Sequence, residues 1–209
     1  MDFYLFVEGP LLWIAFMVFI IGSLLRAAMF LVVSTKKDKI IYQHFSWKYA
    51  FTSIINWLLP FNKSVAKNPV YSILGYIFHI CLVVVPIWLA GHISLWEESR
   101  FEWSWTPIPD ELADWMTLIF LAIALFFLLR RIFSADIRLI SGCADYLLLF
   151  VTALPFLTGY FLTHGTLDSV GFLGDNMTLI HMLSGELMLI LIPFTKLSHF
   201  ILFFFSRGA

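Results

Sequence analysis

The stretch HMLSGELMLILIPFTKLSHF, residues 181–200, decides the fold. It is mostly apolar over the roughly 20 residues that a helix needs to cross a hydrocarbon core. It nevertheless carries His181, Glu186, Lys196 and His199. Ionisable side chains within a span are costly and mark function by default. His181 and His199 stand eighteen residues apart, which is five whole turns at about 3.6 residues per turn. A continuous helix would present both from one face, about 27 Å apart along its axis. One histidine then falls near the outer end of the span and the other near its inner end.

The rest of the chain has the same character. Of 209 residues, 61% are apolar and 13% charged, and the mean hydropathy is +0.90. Soluble domains carry about 25% charged residues, so there is too little polar surface here to coat a water-soluble globule. Five segments are long enough to span: 6–34, 70–96, 113–133, 141–163 and 177–205. The expectation is an all-α integral membrane protein, a bundle of five transmembrane helices in a single domain, 1–209, without internal repeat or linker. The first segment follows acidic Asp2 and contains Glu8, and it lacks a basic leader. It reads as a retained helix, not as a signal peptide. A shorter stretch, 46–60, mixes Trp47, Tyr49, Phe51, Ile54 and Trp57 with Lys48, Ser53 and Asn56. That suits a short helix lying in the interface and ended by Pro60. Cys81 and Cys143 are far apart in apolar surroundings and indicate neither a disulfide framework nor a thiol site.

Charge placement orients the bundle. Of thirteen basic residues, eleven fall on one side: Lys36, Lys37, Lys39, Lys48, Lys63, Lys67, Arg130, Arg131, Arg138, Lys196 and Arg207. The other side holds Asp2, Glu8, Glu97, Glu98, Glu102, Asp110, Glu111, Asp114, Asp168 and Asp175, with Arg100 as its one basic residue. The positive-inside rule places the N-terminus outside and the C-terminus in the cytoplasm, as five spans require. Trp96, Trp103, Trp105 and Trp115 gather around the outer loop, where interfacial aromatics belong. The net charge of −1 is silent on acidic partners; the lipid bilayer is an expected partner and nucleic acid is not.

Four of the six histidines lie on the second and fifth spans. His79 is deeper toward the cytoplasm and His92 is near the outer end of the second span. Since the fifth span runs the opposite way, His92 matches His181 in depth and His79 matches His199. A six-coordinate haem iron takes two axial ligands on opposite faces of a flat macrocycle, which two facing helices can supply. The pattern therefore points to two b-type haems with irons roughly 20 Å apart. One spacing conflicts with this. The thirteen residues from His79 to His92 put the pair on nearly opposite faces of an ideal helix. A kink at Pro86 or beside Gly91 would re-aim one ring; without it the inner pair is differently composed, with His164 as the other fourth ligand.

The residues carrying this pattern resemble a family. IIGSLLR (20–26), FHI (78–80), AGHISLW (90–96), LLRRIFSADIRLISGCADYLLL (128–149), PFLTGYFLTH (155–164) and HMLSGELMLILIPFTKLSHF (181–200) touch every expected span. Together they are similar to the membrane cytochrome b (gamma) subunit of respiratory nitrate reductase. They look closer still to its relatives in sulfate reducers' transmembrane redox complexes and in heterodisulfide reductase. The resemblance implies that His181 and His199 ligate the outer and inner haem iron, with His92 and His79 as their partners. It also implies a quinone or quinol substrate, menaquinone by that branch, and residence in a prokaryotic inner membrane. The implied partners are a heterodisulfide-reductase-like iron–sulfur subunit on the cytoplasmic side and a multihaem cytochrome c outside. The wide His79–His92 spacing departs from the nitrate-reductase form; with the tail of PFLTGYFLTH (155–164) and the loop SWTPIPDELAD (104–114) it looks more like the sulfate-reducer branch, which speaks against nitrate as the terminal substrate.

Other polar residues are candidates with plainer alternatives. His164, at the outer end of the fourth span, suits a quinone site or a loop hydrogen bond. Glu186, with Asp168 and Asp175, suits proton acceptance there, or in the case of Glu186 a bond to a neighbouring helix. Arg26, Lys196, Arg130 and Arg131 suit haem propionates, against simple snorkelling. Asp145 suits an inner-face arginine, and His44 reads as a surface histidine. No phosphate loop or nucleophile triad is present. The expected role is a di-haem b cytochrome subunit of an oxidoreductase, an electron-transfer component and not a stand-alone enzyme. The rival readings are a cofactor-free membrane anchor and a proton-coupled transporter, the latter weakened by the lack of an inverted repeat.

Overall fold

A computed structural model of the protein describes residues 3–37, 46–58 and 68–208, all-helical and without strands among them. Along the chain run α1 (Phe3–Lys37), α2 (Trp47–Leu58), α3 (Pro69–Trp88), α4 (Ala90–Glu97), α5 (Asp110–Phe133), α6 (Ala135–Ile140), α7 (Cys143–His164), α8 (Gly171–Asp175), α9 (Met177–Leu191) and α10 (His199–Gly208). Helices α1, α3, α5 and α7 are each long and apolar enough to cross a membrane. A bent pair, Met177–Leu191 with Lys196–Phe203, makes five if counted as one span. This is the make-up of a multi-pass membrane protein. Its lipid-compatible surface is plain on α1, where Ile21, Leu24, Leu25 and Met29 are more than half exposed. His44, Lys39, Lys63, Lys67 and the expected helix stop at Pro60 lie outside the described residues.

The helices group into two compact units, residues 69–177 and residues 1–68 with 178–209. In the unit 69–177, α5 is the central helix and packs on α3 and α7. Phe120, fully buried, stacks on Phe156 at 4.0 Å and on Phe78 at 4.5 Å, with Cys81, Val85, Ile123 and Ala124 around them. Aromatic pairs at this separation add about 0.5–1.5 kcal/mol to their area burial. Helix α5 carries Asp110 and Glu111 in its first turn and Arg130 and Arg131 in its last, the arrangement that its dipole favours. Helix α7 starts where the Asp145 carboxylate accepts a bond from the Gly142 amide at 2.9 Å, which gives Asp145 a capping role. The helix ends at Gly165, whose φ of +57° permits a left-handed stop with the Gly165 and Thr166 amides turned back onto Leu162 and Phe161.

In the other unit, α10 packs on α2 and α1, and Phe19 stacks on Phe200 at 6.2 Å. The close point is Gly22. A Cβ there would lie 2.8 Å from the Pro193 ring, so only glycine lets α1 approach this part of the chain. Helix α2 matches the expected interfacial helix in extent, with Tyr49 and Phe51 exposed and Ala50 buried.

Two expected spans are not continuous. The segment 70–96 is interrupted at Leu89, whose ψ of 132° is extended. The segment 177–205 bends by 70° between Leu191 and Lys196. Pro193 lies within the second break, where it lacks an amide donor and its ring clashes with the preceding turn; Pro86 lies three residues before the first break and marks only its neighbourhood. The five-whole-turn relation between His181 and His199 is therefore corrected. It presumes one straight helix, and the bend lies between them.

Candidate functional site

Each break has a candidate ligand just beyond it. The first break lies at Leu89. In an uninterrupted helix the carbonyls of Pro86, Ile87 and Trp88 would accept from the amides four residues on. Here they have other donors. The Pro86 carbonyl lies 2.9 Å from His92 Nδ1. The Ile87 carbonyl accepts from Trp105 Nε1 at 3.0 Å, and the Trp88 carbonyl accepts from the Ile108 amide at 3.0 Å. Helix α4 then starts with the His92 and Ile93 amides donating to the Leu89 carbonyl. The ideal-helix angle between His79 and His92 no longer applies, because the winding restarts after Leu89.

At the bend in 192–195 the replacement donors are local. Thr195 Oγ1 donates to the Leu191 carbonyl at 2.8 Å and accepts from the Leu197 amide at 3.3 Å. Ser198 Oγ donates to the Thr195 carbonyl at 2.8 Å. His199 opens α10, its Nδ1 3.0 Å from the Lys196 carbonyl. His79, within α3, has Nδ1 2.7 Å from the Gly75 carbonyl.

These contacts set the chemistry of the rings. A carbonyl can only accept, so Nδ1 is the protonated nitrogen in His79, His92 and His199, and the neutral ring carries its lone pair on Nε2. A carbonyl that accepts from Nδ1 in this way orients an imidazole ligand and raises its basicity. Of the four candidate ligands, His92 and His181 are half-buried, while His79 and His199 are exposed. Among the described residues no group of three or more His, Cys, Asp and Glu side chains converges as a metal cage. A bis-imidazole haem site asks for two ligands, not three.

His164 is built differently. Its Nδ1 faces the Tyr160 carbonyl at 3.0 Å and its Nε2 faces Asp114 Oδ2 at 3.3 Å, while its ring stacks on Tyr160 at 4.2 Å. Both nitrogens thus meet acceptors, an arrangement suited to holding or passing a proton. Asp114 had been placed only among the acidic residues of the outer side. Its pairing with a residue fifty positions on leaves no local pattern.

The remaining candidates separate. Glu186 is 3% exposed, and neither carboxylate oxygen has a hydrogen-bond partner among the described residues. Arg26 and Lys196 are exposed. Arg130 lies over the Tyr71 ring at 4.4 Å and Arg131 donates to Ser141 Oγ at 3.1 Å. Asp168 lies in the loop after α7, close against Gly165. The sequence reading had no signal for Trp105 and Ile108 as helix-break partners, beyond the prolines that flank Ile108.

No family model matches the chain. It is 36% identical over 210 residues to a protein of Nitratidesulfovibrio vulgaris (strain Hildenborough) named simply "Protein", the match covering 98% of this chain and 90% of that one. The chain belongs to the same family as that N. vulgaris protein.

Proposed function

We propose that the protein is a di-haem b cytochrome subunit of a membrane-bound respiratory oxidoreductase, linking the quinone pool to an iron–sulfur partner on the cytoplasmic side. The observation that carries this reading is the tautomer imposed on His79, His92 and His199, each with Nδ1 within 3.0 Å of a main-chain carbonyl. Together with His181 they are the proposed axial ligands. Imidazoles oriented in this way within apolar segments suit iron ligation. Bound there, haem supplies reversible one-electron chemistry.

The chain's own residues then do the rest. The histidines would hold the groups through their imidazole nitrogens. Arg26 and Lys196 offer cationic partners to carboxylates near the inner side. The stacked Phe78, Phe120 and Phe156 core gives the unit 69–177 an apolar interior. His164 with Asp114, and Glu186, are the proposed proton-handling groups of a quinone site, and menaquinone is the proposed quinone. The occupied nitrogens of His164 favour His79 as the fourth ligand. The prokaryotic inner membrane, the outward N-terminus, the heterodisulfide-reductase-like partner and an external multihaem cytochrome c complete the proposal.

The deciding experiment is a reduced-minus-oxidised absorption spectrum of the purified chain, expressed with haem available. Two b-type components are expected. Their absence would leave a cofactor-free anchor as the better reading.

A further inference from the structure

The loop 98–109 joins α4 to α5, and its residues 104–109 have no role in the function proposed above. Its contacts are specific. Trp105 and Ile108 reach back 18 and 20 residues respectively to two consecutive carbonyls, those of Ile87 and Trp88. These are two of the three carbonyls that the break at Leu89 deprives of helical donors. The third, that of Pro86, is the one facing the His92 ring. Pro107 and Pro109 flank Ile108 and have no amide hydrogen, so Ile108 is the only main-chain donor of that tripeptide. Proline also restricts φ on both sides of Ile108 and so limits where its amide can point.

A broken turn in a lipid-facing helix is tolerated only where its polar groups find other partners, because the hydrocarbon offers none. If the loop released the Ile87 and Trp88 carbonyls, the local remedy would be to re-form the helix through Leu89. The Ala90 amide would then return to the Pro86 carbonyl, four residues back. That would compete with His92 Nδ1 for its acceptor and rotate α4. The loop contacts and the His92 contact therefore stand or fall together.

We propose that Trp105 and Ile108 are positioning residues for His92: they hold the helix open at Leu89, and the open turn fixes the orientation and tautomer of the His92 ring. This rests on the haem reading for its spectroscopic consequence but not for its structural one, so the two can be tested apart.

The test is Trp105→Phe in the full chain, which keeps an aromatic ring and removes the indole donor. Ile108→Pro, which removes the amide donor, is the second variant. Trp103→Phe is the control, since Trp103 lies in the same loop and stacks on Trp96 at 6.0 Å without reaching the break. Two quantities are read. Hydrogen exchange at the Ala90 and Gly91 amides, which gain helical acceptors if the helix re-forms through Leu89, is expected to slow about tenfold in Trp105→Phe, the scale of one added hydrogen bond, and not in the control. The low-spin haem EPR signal that is lost in His92→Ala is expected to shift in both variants, while the other haem's signal stays in place. Unchanged or faster exchange in Trp105→Phe and Ile108→Pro overturns the inference, whether or not haem is present. Slower exchange with no EPR shift reduces the loop to a structural clasp and overturns its positioning role. Slower exchange in a chain without b-type bands leaves the clasp standing and overturns the haem reading.

Discussion

The two broken helices solve one problem in opposite ways. Both contain a proline, both interrupt a stretch apolar enough for the bilayer, and both place a histidine just beyond the interruption. At Leu89 the displaced carbonyls are met by residues far along the chain, Trp105 and Ile108. At 192–195 the hydroxyls of Thr195 and Ser198 meet carbonyls three or four residues away. What is remote at the second break is not a hydrogen bond but a packing contact, that of Gly22 on Pro193. A break held by a loop can be released by changes in that loop. A break held by its own side chains yields only to changes at the break or at the surface packed on it.

The largest expected effect tests whether the two breaks serve different groups. His92→Ala should remove one b-type spectral component and His199→Ala the other, with His181→Ala matching His92→Ala and His79→Ala matching His199→Ala. Loss of the same component from His92→Ala and His199→Ala would end the assignment of one break to each haem.

Next in size is His164→Ala. A ring held on both nitrogens is expected to leave haem content unchanged while quinol-driven haem reduction slows, as stopped-flow absorbance would record. A missing haem would instead make His164 a ligand and displace His79.

The packing contact at the second break comes third. Gly22→Ala drives a methyl group to within 2.8 Å of the Pro193 ring, and overpacking of that kind costs about 1–3 kcal/mol. The thermal midpoint in detergent should fall, whereas Gly75→Ala, with open space around its Cβ position, should not lower it by clash. Equal falls would remove the special status of Gly22.

Thr195→Val is a smaller perturbation. It deletes a donor to the Leu191 carbonyl and an acceptor for the Leu197 amide, at about 1–2 kcal/mol. Thr195→Ser should restore most of this in the same melting measurement. The smallest effect belongs to Asp114→Asn. The His164–Asp114 pair is more than a third exposed on both sides, and such pairs are worth roughly 0–1 kcal/mol. A loss well above that range would show that the pair is screened far better than its exposure allows.

Much of this was legible in the residues. The apolar segments, their lengths and the interfacial helix over 46–60 follow from hydropathy and periodicity, because a membrane span is a local property of about twenty residues. The location of the first break was half legible. Pro86 marks the region, but the turn opens three residues later at Leu89, where the loop can reach. The second break was read through, since Pro193 in an apolar run is compatible with a merely kinked helix. At the 70° bend Pro193 packs on Gly22, some 170 residues earlier, a contact that the local sequence does not reveal. The site was legible as a list of ionisable residues and not as a set of contacts. His164 and Asp114 looked like separate members of the outer side, and the cap that Asp145 gives α7 left no signal in the sequence.

By itself, then, the sequence determined a helical, membrane-spanning chain and the few ionisable side chains that its spans carry. Both follow from the cost of placing polar groups in hydrocarbon, which each segment meets on its own. Only the tertiary structure decided where two of those spans open, and which donors answer the carbonyls exposed there. A hydrogen bond is satisfied by distance and angle in space, and the Trp105 indole, the Ile108 amide and the Gly22–Pro193 contact come into range only after the chain has folded.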